Sequence, residues 1–280
     1  MRRNSLPTKK KKKVSIALSI AGSDSSGGAG IQADLKTFTV FGVFGTSVIT
    51  ALTAQNTSKI QKIKPVEIEI IKNQIDSVCS DFAVNALKTG MLVNESIIKL
   101  VCKMITKYKL TNIVVDPVMI SKTGNELLDK NSISCLIEKL FPLATLITPN
   151  LEEAQEILKL KEKIKTIKEM KEIARLLKNL GPKAVLLKGG HLQSGATDIL
   201  CYGSSCYTYE GKFIDTENTH GTGCTLSSAI TCGLANGLSL RRSIKEAKDF
   251  IQKCIKSSFD IGSGKGPLNH MHFLKKKNYS

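Results

Sequence analysis

Two rhythms of apolar residues alternate along this chain. Compact β-branched runs of four to eight residues predict buried strands, and longer stretches with apolar side chains at helical spacing predict helices. Residues 14–20, 43–50, 86–89, 112–115, 144–148 and 184–187 read as strands. Residues 31–41, 65–82, 96–108, a segment from Leu151, and 167–180 read as helices. Short β-like pieces at 197–202 and 205–214 follow, and two helices at 222–235 and 240–258 close the pattern. Strands that alternate with helices imply βα units, hence an α/β fold with a mainly parallel central sheet and helices on both faces. One domain over 14–270 is expected, flanked by a basic flexible arm at 1–13 and a basic tail at 271–280.

Polar residues gather where predicted strands end: Asp24, Gln55, Asp116, Asn150 and Lys188. That edge of a parallel sheet is where ligands bind. A second signal is Asn218-Thr-His-Gly-Thr-Gly-Cys-Thr225, which runs straight into a helix. Glycine allows backbone angles that let successive N–H groups converge, and the positive end of the helix lies beside them, so the turn suits a phosphate. Two familiar nucleotide motifs fail here. Gly28-Ala-Gly-Ile-Gln-Ala33 fits a dinucleotide fingerprint, but no acid occurs between Asp34 and Glu67. No Lys-Ser/Thr pair follows the glycines as in a P-loop, and Gly262-Ser-Gly-Lys265 has the wrong spacing.

Composition narrows the classes. The net charge is +17, but seven of those charges are Arg2, Arg3 and Lys9 to Lys13 in the arm. Such a field suits an anionic substrate. Aromatic residues make up only 5%, with no aromatic-and-basic platform, which argues against nucleic acid as a partner. No 18-residue apolar run predicts a membrane span. The arm lacks the apolar core of a secretory signal. Eight cysteines without a CxxC pair read as reduced thiols in a cytoplasmic protein. His270 and His272, in a Lys-rich tail, read as unstructured or capping.

In this order the motifs resemble the hydroxymethylpyrimidine/phosphomethylpyrimidine kinases of thiamin biosynthesis, in the ribokinase-like superfamily. The matching stretches are Ile20-Ala-Gly-Ser-Asp24 with Ser26 to Lys36, Ser47 to Asn56, Lys88-Thr-Gly-Met91 and Val115-Asp-Pro-Val-Met119. Ile147 to Glu153, Leu187-Lys-Gly-Gly-His191 and Asn218 to Leu226 complete the set. The resemblance implies a ribokinase-like fold, ATP with Mg²⁺, and a homodimer. It implies that Gln55 hydrogen-bonds the aminopyrimidine and that Gly22, Asp34, Met91 and Val118 line the same pocket. Asn150 and Glu153 match an element that organises metal-bound phosphates, with Asp116 nearby as a second metal-side carboxylate. Lys188 matches a phosphate-contacting catalytic lysine, and Thr219 falls among the nucleotide-binding positions. Gly221, Thr222, Gly223 and Cys224 match the anion hole.

Cys224 stands where the wider superfamily has a catalytic Asp. A thiol at a helix N-terminus is expected to be acidified, and as a thiolate it would accept the hydroxyl proton. A pyridoxal or pyridoxine kinase on the same scaffold is the rival reading. A non-catalytic polyanion-binding protein led by the arm is a more distant one, and it leaves the strand-end polar set unexplained.

Overall fold

The computed structural model describes residues 14–119, 124, 127–192 and 195–273 of the 280. The arm at 1–13 and residues 274–280 of the tail lie outside the described residues. Among the described residues nine strands form one sheet: β1 (Ile16–Asp24), β2 (Phe44–Gln55), β3 (Ile60–Pro65), β4 (Ala86–Thr89), β5 (Ile113–Val115), β6 (Leu146–Ile147), β7 (Ala184–Leu192), β8 (Gly195–Tyr202) and β9 (Ser205–Tyr209). Their order is β3-β2-β1-β4-β5-β6-β7-β8-β9. The run from β2 through β1, β4, β5 and β6 to β7 pairs in parallel, whereas β3 at one edge and β8 and β9 at the other run antiparallel to their neighbours.

Eight α-helices among the described residues pack on the sheet: α1 (Gly30–Val40), α2 (Ile68–Asp81), α3 (Glu95–Lys107), the single turn α4 (Ile133–Cys135), α5 (Leu151–Leu158), α6 (Ile167–Lys178), α7 (Thr222–Ala235) and α8 (Leu240–Lys256). Period-two alternation divides the strand side chains between two cores. Leu18, Ile20, Ile113, Val115, Val185 and Leu187 face α2, α3, α5 and α6. Ala17, Ala86, Val114, Ala184 and Leu186 face α1, α7 and α8. Alanines recur on the second face. This side is where α7 lies against β1, β4 and β5, and it carries the loop that precedes that helix.

Three differences from the sequence expectations have physical causes. Strand β3 escapes the apolar pattern because Lys62 and Lys64 interleave its isoleucines; such lysines protect an edge strand from pairing with another chain. Pro65 therefore ends β3, and α2 begins only at Ile68. His270 is neither unstructured nor a cap. It is 4% exposed, its Nε2 lies 2.9 Å from the Thr225 hydroxyl, and burial, with Lys36 adding, pushes it down to about 4. His272 packs 5.5 Å from the Phe250 ring.

The expectation of eight reduced thiols also fails. Cys201 and Cys206 face each other directly across β8 and β9 and form a disulfide, a proximity set by the hairpin register rather than by spacing in sequence. No helix among the described residues is long and apolar enough to cross a membrane.

Candidate active site

A cavity of about 710 Å³ opens along the carboxyl ends of the parallel strands. Two glycine-rich loops build its wall. A Cβ on Gly221, at φ +84°, would run into the backbone of Gly28, and a Cβ on Gly28 would run into the His220 ring. Gly221 requires glycine because it meets the Gly28 backbone at a positive φ, and Gly28 because the His220 ring packs against it. Asp24, the last residue of β1, pins the first loop. Its Oδ1 accepts from the Ser26 N–H and hydroxyl at 2.8 and 2.7 Å, and its Oδ2 accepts from the Ala29 N–H at 2.8 Å. His220 Nε2 lies 2.7 Å from the same Oδ2, tying the second loop to the first. Burial would raise the Asp24 pKa, but the His220 and Ser26 hydrogen bonds outweigh it and hold the carboxyl at about 2.

Gly221 caps α7, and the first turn of that helix, Thr222 to Cys224, lines the cavity at its positive end, with the Thr222 N–H donating to the Thr219 carbonyl at 3.3 Å. Gly223 sits beside the Lys188–Asp116 pair, since a Cβ there would lie 3.4 Å from Lys188 Nζ and 3.6 Å from Asp116 Oδ2. Lys188, within β7 rather than after it, donates to Asp116 Oδ1 at 3.1 Å. Thr148 and Ser227 hydroxyls also approach that carboxylate, at 3.2 and 3.4 Å. Burial alone would lower the Lys188 pKa, but Asp116 and Glu153 raise it, so its charge is secure.

Asn150 and Glu153 form a reciprocal capping box at the start of α5. Asn150 Oδ1 accepts from the Glu153 N–H and Glu153 Oε2 from the Asn150 N–H, both at 2.8 Å. Burial, together with the Asp116 carboxylate, pushes Glu153 up to about 7 against the pull of Lys188. Among the described residues no group of three or more His, Cys, Asp or Glu is placed to hold a metal by itself.

The other ring-pocket positions divide. Gln55 ends β2 with its amide Nε2 3.4 Å from His220 Nε2, and it lines the cavity. Gly22, Met91 and Val118 line it too; a Cβ on Gly22 would come within 3.0 Å of Met91 Sδ. Thr219 is also on the cavity wall. Asp34 is not. It is 0% exposed on α1, where Ser19 and Ser228 donate to it at 2.5 and 2.7 Å and Lys88 Nζ at 2.9 and 3.0 Å. It lies beneath the pocket because its helix face, shared with Ile31, Thr37 and Phe38, points at the sheet.

Acidification of Cys224 is not found either. Burial pushes its thiol up to about 11, and Asp34 and Asp116 add to this, while Lys88 and the Gly30 N–H oppose it. The helix N-terminus does not outweigh the loss of water. Sequence reasoning missed three features: Lys88 as a buried charge, the Asp24–His220 pair, and the Lys248–Asp198 pair at 2.6 Å. The first had a signal, because a lysine inside the apolar run Ala86-Leu-Lys-Thr89 demands a partner.

Comparison with known proteins agrees with this geometry. The family model described as phosphomethylpyrimidine kinase matches residues 24–269. The thiamine biosynthesis bifunctional protein ThiED of Geobacter sulfurreducens is 47% identical over 255 residues, covering 91% of this chain and 52% of that protein. The hydroxymethylpyrimidine/phosphomethylpyrimidine kinase of Bacillus subtilis is 42% identical over 261 residues, covering 92% of this chain and 96% of that protein. The crystal structure of an ADP complex of Bacillus subtilis pyridoxal kinase has a TM-score of 0.87 at 41% identity, covering 93% of this chain and 99% of that one. The chain thus spans about half of the bifunctional relative and nearly all of the monofunctional one. With its ribokinase-like sheet and phosphate-ready turn, this chain is a kinase and belongs to the phosphomethylpyrimidine kinase family.

Proposed function

We propose that the protein transfers a phosphoryl group from ATP to the hydroxymethyl of 4-amino-5-hydroxymethyl-2-methylpyrimidine, and then a second one to the monophosphate, supplying thiamin biosynthesis. The observation that carries this reading is one cavity with two chemically different regions. Gln55, Met91 and Val118 offer an amide and apolar walls suited to a small aminated ring, and Lys188 with the turn at 221–224 offers donors for phosphate. Phosphoryl transfer asks for positioning and charge neutralisation, which these groups supply. In this reading Lys188 Nζ and the amides of Gly221 to Cys224 hold the transferring oxygens, Thr219 and Asn150 border the nucleotide, and Cys224 faces the substrate hydroxyl.

The donor set fits a hydrated Mg²⁺. Asp116 and Glu153 are hard oxygen donors, and burial raises the Glu153 pKa, so a cation bound there would favour its carboxylate form. With fewer than three such ligands among the described residues, the ion would share its coordination with phosphate oxygens and water. When bound, it would neutralise phosphate charge. A homodimer belongs to the same reading and rests on the family resemblance, whereas the cytoplasmic location rests on reading the cysteines as reduced, which the Cys201–Cys206 disulfide undercuts.

The similarity to a pyridoxal kinase favours a second reading, phosphorylation of a pyridoxal-type ring. ADP release from the purified protein separates the two, measured with the aminopyrimidine, its monophosphate and pyridoxal, alone and in competition. Higher kcat/KM for both pyrimidines is the expected result. Faster turnover of pyridoxal would reverse the assignment.

A further inference from the structure

The turn at the start of α7 is flanked by two lysine–carboxylate pairs, and the proposed chemistry uses only one. The other, Lys88–Asp34, is sealed, with both side chains 0% exposed. Its place is set by α7 itself. Cys224 and Ser228 are one turn apart on the same helix face. Ser228 Oγ donates to Asp34 Oδ1, the oxygen that also takes Lys88 Nζ at 3.0 Å. The ammonium therefore lies against the first two turns of α7, near enough to Cys224 for the two charges to interact, and it borders the floor of the cavity. Room for it is kept by Gly90, where a Cβ would lie 2.9 Å from Lys88 Nζ and 3.0 Å from Ala21 Cβ. An ion pair in a core is weak evidence of a purely stabilising role, because apolar residues of similar volume often serve as well.

We propose that Lys88, clamped by Asp34, is a positioning residue of the transfer, its fixed ammonium being the counter-charge for a Cys224 thiolate. The inference rests on the reading that places Cys224 at the reacting hydroxyl. In the free protein the Cys224 thiol is protonated; it first gives its proton to solvent, and the hydroxyl proton then passes to the thiolate Sγ. The new oxygen–phosphorus bond forms as the bond to the ADP oxygen breaks, and the thiol returns its proton to solvent before the next turnover. The charged groups facing the thiol are Asp34 from α1, Lys88 from β4, Asp116 after β5 and Lys188 from β7. Asp24 and His220, across the cavity, pair with each other. Burial is the largest influence on the thiol, and Lys88 is the foremost group opposing it.

The test is the iodoacetamide labelling rate against pH, read by mass spectrometry at the Cys224 peptide so that the other thiols do not interfere. Lys88→Met keeps the length and removes the charge. The labelling midpoint should move up by about one unit, so that labelling at a fixed lower pH slows about tenfold. The double variant Lys88→Met/Asp34→Asn leaves no unpaired charge in the core and guards against a single variant that does not fold. Its midpoint should also move up, by less. A wild-type midpoint in either folded variant overturns the proposal. Turnover of Cys224→Ala is scored separately: wild-type turnover there removes the thiol from the transfer, whereas the labelling profile addresses the counter-charge with no substrate present.

Discussion

The two lysine–carboxylate pairs around α7 have the same chemistry and opposite surroundings. Lys188–Asp116, at 3.1 Å, leaves the lysine 15% exposed at the cavity wall. Lys88–Asp34, at 2.9 Å, is shut away from water. Asp34 is saturated by two serine hydroxyls and the ammonium, all at 3.0 Å or less. Asp116 has longer contacts and shares its neighbourhood with Glu153. The sealed pair is arranged as a fixed charge and the open pair like a binding site awaiting anions and a cation. Burial decides the task, because a charge without water must be matched in place, whereas a charge at a cavity wall can trade partners with ligand.

The contrast breaks most visibly if one member of the sealed pair is removed. Asp34→Ala strands a buried ammonium and should destabilise the protein by about 3–5 kcal/mol, measured by urea unfolding. A loss under about 1 kcal/mol would mean that Lys88 sheds its charge readily and that the pair is not a fixed feature. At the open pair the expectation reverses. Lys188→Met should cost less stability than Asp34→Ala, while kcat falls about 10²- to 10³-fold through the loss of one preorganised donor to the transferring group. Normal turnover in that variant would remove Lys188 from the phosphate site.

Much of this contrast is legible in the amino-acid sequence, but unevenly. The alternation of strand and helix is readable because each strand is a short apolar run bounded by turn residues, and five polar residues mark the ligand edge. The phosphate turn is visible because glycine and threonine run directly into an apolar helix. What stays hidden depends on which residues face inward across long sequence separations. Asp34 and Lys88 are 54 positions apart, and nothing local says that they meet beneath the pocket rather than in it. Cys224 misleads for a related reason: its helix position is readable, but the loss of water around its thiol is not. Strand β3 is missed because lysines that protect an edge look like loop.

The open pair has a third member, and its charge state sharpens the comparison further. Glu153 sits at about 7 in the folded protein against an ordinary 4.5, so the folded state keeps a proton that the unfolded chain releases. The stability this gives is complete below pH 4.5 and is lost as pH rises to about 7. At about pH 7.5 the ligand-free protein should therefore gain up to about 3 kcal/mol from Glu153→Gln, because Gln can still accept the Asn150 N–H. Thermal unfolding should show a rise of several degrees that disappears near pH 4.5, together with lower kinase activity. Equal stability of the two proteins at both pH values would mean that Glu153 is already charged and compensated without ligand.

The smallest effect concerns the ring. If both lysine pairs manage only phosphate and proton, ring preference must be set elsewhere, and Gln55 is placed for it at the end of β2. Its amide offers a donor and an acceptor together, matching the ring-nitrogen and exocyclic-amine edge of an aminopyrimidine. In the free protein that amide makes only long contacts, 3.4 Å to His220 Nε2 and 3.3 Å from the Thr53 hydroxyl, so it can turn to a ligand at little loss. Gln55→Leu keeps the bulk and removes both functions. The aminopyrimidine edge is then left unpaired, which costs about 1–3 kcal/mol of binding, or roughly 5- to 150-fold in Kd. ATP affinity should not change, because the phosphate groups meet Lys188 and the α7 turn instead. Calorimetric titration of each ligand separates these outcomes. An unchanged aminopyrimidine Kd would take ring recognition away from Gln55, and a parallel loss of ATP binding would show that ring and phosphate ends of the cavity are not independent.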